Sequence, residues 1–129
     1  MKSILSISVI LFFLLGCTKP LIDYRSKYVG EYHVISYNSS WVMGQIQQYD
    51  TIQYTIKVRR SNTLYYVDFI SNSGETSYLM ETDGTLHYDS PDWHYHVNGG
   101  FTDKNHFELT GGYYGLGGGN SFEAHGSKK

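Results

Sequence analysis

The sequence predicts an all-β fold, an antiparallel up-and-down meander of about eight short strands forming a small barrel or a flattened sandwich. Three observations carry that reading. From Tyr28 onward apolar and polar residues alternate, and turn chemistry interrupts the alternation every eight to twelve residues or so. The chain has 13 tyrosines and 16% aromatic residues, a composition that suits pleated, half-buried surfaces. No segment after Cys17 shows an apolar period near 3.6 residues, so no amphipathic helix is expected there.

The elements follow in order. Tyr28 to Tyr37 forms a first strand, and Asn38 to Tyr49 a longer connection holding Trp41, Met43 and Gly44. In T-I-Q-Y-T-I-K-V, Ile52, Tyr54, Ile56 and Val58 share one face and Thr51, Gln53, Thr55 and Lys57 the other. Arg60-Ser61-Asn62 turns the chain into T-L-Y-Y-V-D-F-I, and Ser71 to Gly74 turns it back into T-S-Y-L-M-E. Asp83-Gly84 is the strongest two-residue hairpin signal, because both central residues of a type I′ turn need positive φ. Thr85 to Tyr88 follows, then a break at Ser90-Pro91-Asp92, then W-H-Y-H-V. Asn98-Gly99-Gly100 marks a bulge or bend before Phe101, and Thr102 to Asn105 turns into H-F-E-L-T. The glycine-rich stretch G-G-Y-Y-G-L-G-G-G-N then leads into the last strand, S-F-E-A-H-G. Short connections make consecutive strands neighbours in space.

The first residues have a separate purpose. Lys2 precedes an apolar run from Ile4 to Leu15, shorter than the ~20 residues a spanning helix needs and matching the helical core of a signal peptide. Residues 1–16 are therefore expected to be a signal peptide, 17–27 a tether, and 28–129 one β domain, a size that fits a single core. Cys17 is the sole cysteine, so no internal disulfide can form. The net charge of −2, with Lys and Arg scattered, leaves no basic footprint for nucleic acid.

The stretch Leu14-Leu15-Gly16-Cys17 resembles the lipobox of bacterial lipoproteins. That resemblance implies a diacylglyceryl thioether on Cys17, cleavage before it, and acylation of the new amino terminus. Such a chain is held on the membrane by its lipid, since two or three acyl chains anchor stably where one does not. By similarity to lipoprotein sorting, Thr18 in place of Asp implies the outer membrane of the cell envelope, and the lack of an acidic run implies its periplasmic face. Tyr28-Val29-Gly30-Glu31-Tyr32 resembles the opening strand of lipocalin-like domains. The order of lipobox, Y-V-G-E-Y, D-T-I-Q-Y, D-G, G-G-F, G-L-G-G-G and terminal G-S-K-K resembles a group of small bacterial lipoproteins of uncharacterised function. It implies fold and address and supplies no substrate or catalytic residue.

Candidate chemistry is sparse. The glycine stretch lacks the lysine of a phosphate-binding loop, has Asn120 where a dinucleotide fingerprint needs glycine, and precedes no helix. It reads as a hairpin, and no cofactor is expected. His94 and His96, at i and i+2, share a strand face, and His87 lies on the preceding strand with Asp89 and Asp92 nearby. A zinc or copper ion is the sharp interpretation and a solvated pair the plain one. Asp68, within Y-Y-V-D-F-I, needs a partner if it points inward. Trp93 is expected in the core, and Trp41 is the better candidate for a rim contact with a ligand. No nucleophile elbow is present. The leading reading is a non-catalytic, membrane-tethered binding module for a small ligand, an envelope glycan or a protein partner, with Trp41, Asp68 and Trp93 as candidate ligand contacts. The alternative is a metal-dependent or hydrolytic envelope enzyme using His94, His96 and His87.

Overall fold

The structure, a computed structural model, describes residues 22–88 and 90–129. The signal peptide, Cys17 and Asp89 lie outside the described residues. Eight antiparallel strands follow a short 3-10 helix, Tyr24–Tyr28: β1 (Gly30–Val42), β2 (Gln45–Arg60), β3 (Tyr66–Ser71), β4 (Gly74–Met80), β5 (Leu86–His87), β6 (Tyr95–Asp103), β7 (His106–Gly115) and β8 (Gly118–Lys128). They form one sheet in the order β5-β4-β3-β2-β1-β8-β7-β6. The first strand pairs with the last along Tyr32–Val42, so the meander curls into a nearly closed barrel rather than a sandwich.

Closure is complete only at one end, called the lower end here. A bridge joins Thr85 to Gly100, and the Phe101 N–H donates to the Gly84 carbonyl at 2.9 Å. Above it the strands are unequal. The β1–β2 and β7–β8 hairpins run on upward, and the Met43 N–H ties their tips together by donating to the Gly117 carbonyl at 2.7 Å. β3 pairs with β2 only from Lys57 to Arg60, and β5 is two residues long. The upper wall therefore has a gap between β2 and β6.

The core fills the lower half. Tyr32, Val34, Val58, Val67, Met80 and Phe107 are each under 2% or at about 2% exposure, and Phe69 packs edge-on against Phe101 and Phe107. The 3-10 helix forms the floor. Tyr28 stacks on Phe101 with ring centroids 4.3 Å apart, and the Tyr32 hydroxyl donates to the Tyr28 carbonyl at 2.8 Å. Burial pushes the Tyr32 hydroxyl up to about 12. Arg25, buried, donates through Nη1 to the carbonyls of Thr63 and Tyr66, at 3.1 and 2.6 Å, and through Nη2 to Asp23 at 2.7 Å. Residues from Asp23 on, expected to be tether, are thus packed structure.

Two turns differ from expectation. Asn38 to Tyr49 is not a connection, because Asn38–Val42 pairs with both β8 and β2. Its turn is Met43-Gly44, with φ of 49° and 79°, the two positive values a type I′ turn requires. At Asp83-Gly84 only Gly84 has positive φ, 100°. The Glu81 N–H donates to Thr85 at 2.9 Å, so Thr82–Gly84 is a three-residue loop with glycine at its left-handed position.

Candidate functional site

The gap leads into a recess of about 660 Å³. Its walls follow from strand periodicity. Tyr54 lies two residues above Ile56 on β2, Tyr78 two below Met80 in sequence on β4, and Tyr95 two before Val97 on β6, so each tyrosine shares the inner face with a buried apolar residue. Phe122 of β8 completes the wall, and Phe69, Phe107 and Leu109 form the bottom. Ser36 donates to the Asn38 carbonyl oxygen Oδ1 at 3.0 Å, which leaves the Asn38 amide N–H groups as donors to the recess.

The electrostatics are simple. Among the described residues Glu75, at the rim, is the one charged residue lining the recess, and its carboxylate is engaged by Arg59 Nη2 at 3.0 Å. Burial raises the hydroxyls of Tyr54, Tyr78 and Tyr95 above the ordinary tyrosine range, and the neighbouring tyrosines add to it. All three remain protonated donors at neutral pH. Tyr88 links Tyr78 and Tyr95, with ring centroids 5.7 Å from each. The arrangement offers aromatic faces and neutral hydroxyls, which suits holding an uncharged group. It offers no nucleophile–base pair.

Asp68 lies elsewhere, on the outer face of β3 between inward Val67 and Phe69. It is 3% exposed, accepts from Ser77 Oγ at 2.8 Å and from Arg59 Nε at 3.1 Å, and is covered by the Arg59 side chain. Burial acts to raise its pKa, but the bonds from Ser77 and Arg59 outweigh that and hold the carboxyl below its usual range. Asp23 is also lowered, chiefly by its hydrogen bonds to Arg25. With folded values below the unfolded ~4, both groups stabilise the fold above that pH and lose the contribution as pH falls through the folded values. Thermal unfolding should therefore be flat near neutrality and fall below about pH 4. Asp68→Asn should cost about 1–3 kcal/mol at pH 7 and show a shallower acid decline, measured by circular dichroism. An unchanged acid decline in that variant would remove Asp68 from the account.

The other candidates are scattered. Trp41 lies on the outer face near the upper end, its ring centroid 5.5 Å from that of Tyr114. Gly119 beside it leaves the room, since a Cβ there would sit 2.6 Å from the indole. Trp93, expected in the core, is 76% exposed and packs on the His94 ring at 3.7 Å, because the chain enters β6 only at Tyr95. None of Trp41, Asp68 and Trp93 lines the recess. His87 meets Glu81 at 2.7 Å and His94 meets Asp92 at 2.9 Å, while His96 is exposed on β6. Among the described residues no group of three or more His, Cys, Asp or Glu side chains is placed to hold a metal ion.

The residues that do line the site, Tyr54, Tyr78, Tyr95 and Phe122, were visible in the sequence only as strand residues. The usable signal was tyrosine recurring on the apolar face of three strands. No protein-family profile matches the chain, and a comparison with characterised proteins finds none significantly similar.

Proposed function

We propose that the protein is a non-catalytic binding module, anchored in the bacterial envelope through lipid on Cys17, that takes an uncharged group into the side-opening recess. The barrel-like fold is compatible with a binding module, and one observation supports the reading above the rest. A recess of about 660 Å³ lies within the size range of ligand sites, and among the described residues its inner wall is aromatic and hydroxylated, with its one charge paired. Partners of the module are therefore a small neutral molecule, a glycan or part of a protein, with the membrane reached through the acyl chains. The anchor rests on the resemblance of Leu14 to Cys17 to a lipobox.

Native mass spectrometry of the full chain, extracted from its own membrane in mild detergent, tests both halves. The expected species begins at Cys17, carries diacylglycerol and acyl masses, and retains a neutral ligand that dissociates on activation. A chain beginning at Met1 without lipid would overturn the anchor. A chain that is empty in the native extract and takes up no neutral apolar dye would overturn the binding site.

A further inference from the structure

One side of the recess is an unpaired strand edge. β2 pairs with β1 from Gln45 to Val58, but β3 accompanies it only from Lys57 to Arg60. The direction of its main-chain groups follows from the ladder. The Lys129 N–H donates to the Glu31 carbonyl at 2.9 Å, so the odd residues of β1 turn their backbone groups toward β8. Their partners, the odd residues of β2, then turn theirs away from β1. At Lys57 these groups meet Ile70 of β3. At Tyr49, Thr51, Gln53 and Thr55 no strand faces them among the described residues.

Natural edges of this length carry lysine, proline or a bulge that discourages pairing. This stretch has neither lysine nor proline, its one charge is Asp50 near the upper end, and the one register shift of the β1–β2 ladder lies above it, at Ser40/Trp41. The alternate residues matter as much. Ile52, Tyr54 and Ile56 face the recess, which is bounded by this same edge, by the β3–β4 turn and by Tyr95 across the gap. A strand laid along the edge would therefore direct every second side chain into the recess.

We propose that the natural occupant is an extended peptide segment that adds antiparallel to β2 along Tyr49–Thr55 and inserts an uncharged apolar or aromatic side chain between Tyr54, Tyr78 and Tyr95. This rests on the recess being the binding site and names what fills it. The span corresponds to about seven residues of peptide. A second copy of this chain paired about the middle of the edge meets an obstacle. If two β2 strands paired antiparallel about Ile52, Gln47 of one copy would fall opposite Lys57 of the other, a place Ile70 already holds. A free peptide can end or turn away at that point. A charged side chain is disfavoured between the three tyrosines, because among the described residues the one charge lining the recess, Glu75, is paired with Arg59.

The test uses the full chain in detergent with blocked heptapeptides of the form Thr-Val-Thr-X-Thr-Val-Thr, followed by fluorescence polarisation, and a neutral dye, N-phenyl-1-naphthylamine, as an independent probe of the recess. Peptides with X as Phe or Leu should bind at least about tenfold more tightly than those with Glu or Lys. N-methylation of alternate peptide residues should abolish binding in one phase and spare it in the other. Thr51→Pro should abolish peptide binding and leave dye binding intact, because the Thr51 N–H lies outside the β1–β2 ladder and its loss leaves that ladder whole. The methylated peptides decide the matter if that variant fails to fold. Dye binding without peptide binding at about 1 mM would overturn strand addition and leave the binding module standing. Binding of neither would overturn both. Self-association abolished by Thr51→Pro would show that a second copy takes the edge and would overturn the peptide.

Discussion

Arg25→Ala is expected to destabilise the barrel by about 3 kcal/mol, a large share of the 5–15 kcal/mol typical of a whole domain. The side chain is 6% exposed, and its guanidinium spans two structures that have no covalent link nearby. One edge holds the Asp23 carboxylate, and Nη1 serves the carbonyls of Thr63, in the turn between β2 and β3, and of Tyr66, at the start of β3. Truncation strips both carbonyls of their cationic donor, leaving them only the backbone N–H groups of Tyr66 and Ser61, and leaves the buried side of the carboxylate without its main partner. It also releases the helix that carries Tyr28 onto Phe101. Arg25→Lys should recover little of the loss, since one ammonium cannot span donors arranged as a planar fork. Urea unfolding followed by circular dichroism measures this, with a lower midpoint at nearly unchanged slope. A Lys variant as stable as the parent would show that charge alone matters.

Gly99→Ala is expected to cost about 3–5 kcal/mol, from strain and overlap acting together. Gly99 has φ of +133°, and a Cβ built on it would lie 2.1 Å from the Glu108 carbonyl oxygen on the neighbouring strand. Backbone cannot yield as the end of a side chain can, so β6 would have to move off β7. The displacement falls next to Gly100, where the sheet closes on Thr85. Gly74 supplies the comparison. Its φ is +144° but nothing lies within 4 Å of a built Cβ, so Gly74→Ala carries the strain without the overlap. Thermal melts should separate the two variants by about 2 kcal/mol or more. Equal melting temperatures would mean that the close approach of β6 to β7 is not a tight constraint.

Much of this fold was legible because one rule dominated it. Wherever one strand face is buried, alternation reports the strand, as in Ile52-Tyr54-Ile56-Val58, all of which face inward. The rule failed where burial ceased. Asn38–Val42 and Gln45–Tyr49 are strands held by pairing with β8 and with each other, and they bury too little for any apolar pattern to mark them. Met43 at positive φ gave no turn signal, since methionine is not a residue that favours it. Trp93 misled for the opposite reason, being large and apolar at a point where the chain has not yet entered its strand. The recess was harder still. It exists because β3, β4 and β5 stop short while β1, β2, β7 and β8 continue, and relative strand length is a property of the assembled sheet. Tyr54, Tyr78 and Tyr95 carry the same alternation as the core, and nothing in a single strand distinguishes a wall from a packed interior.

The pairing of β1 with β8 has a consequence for how the chain reaches this state. Hairpins from β1 to β4 and from β6 to β8 can form early, from residues close in sequence. The contact that curls them into one body pairs Tyr32–Val42 with Gly118–Lys128 and cannot exist until β8 is synthesised. Bringing such distant segments together loses chain entropy before any contact compensates, and folds dominated by such pairings form slowly. Until β8 is in place the paired strands form an open sheet with an exposed aromatic face, and β8 acts as the latch.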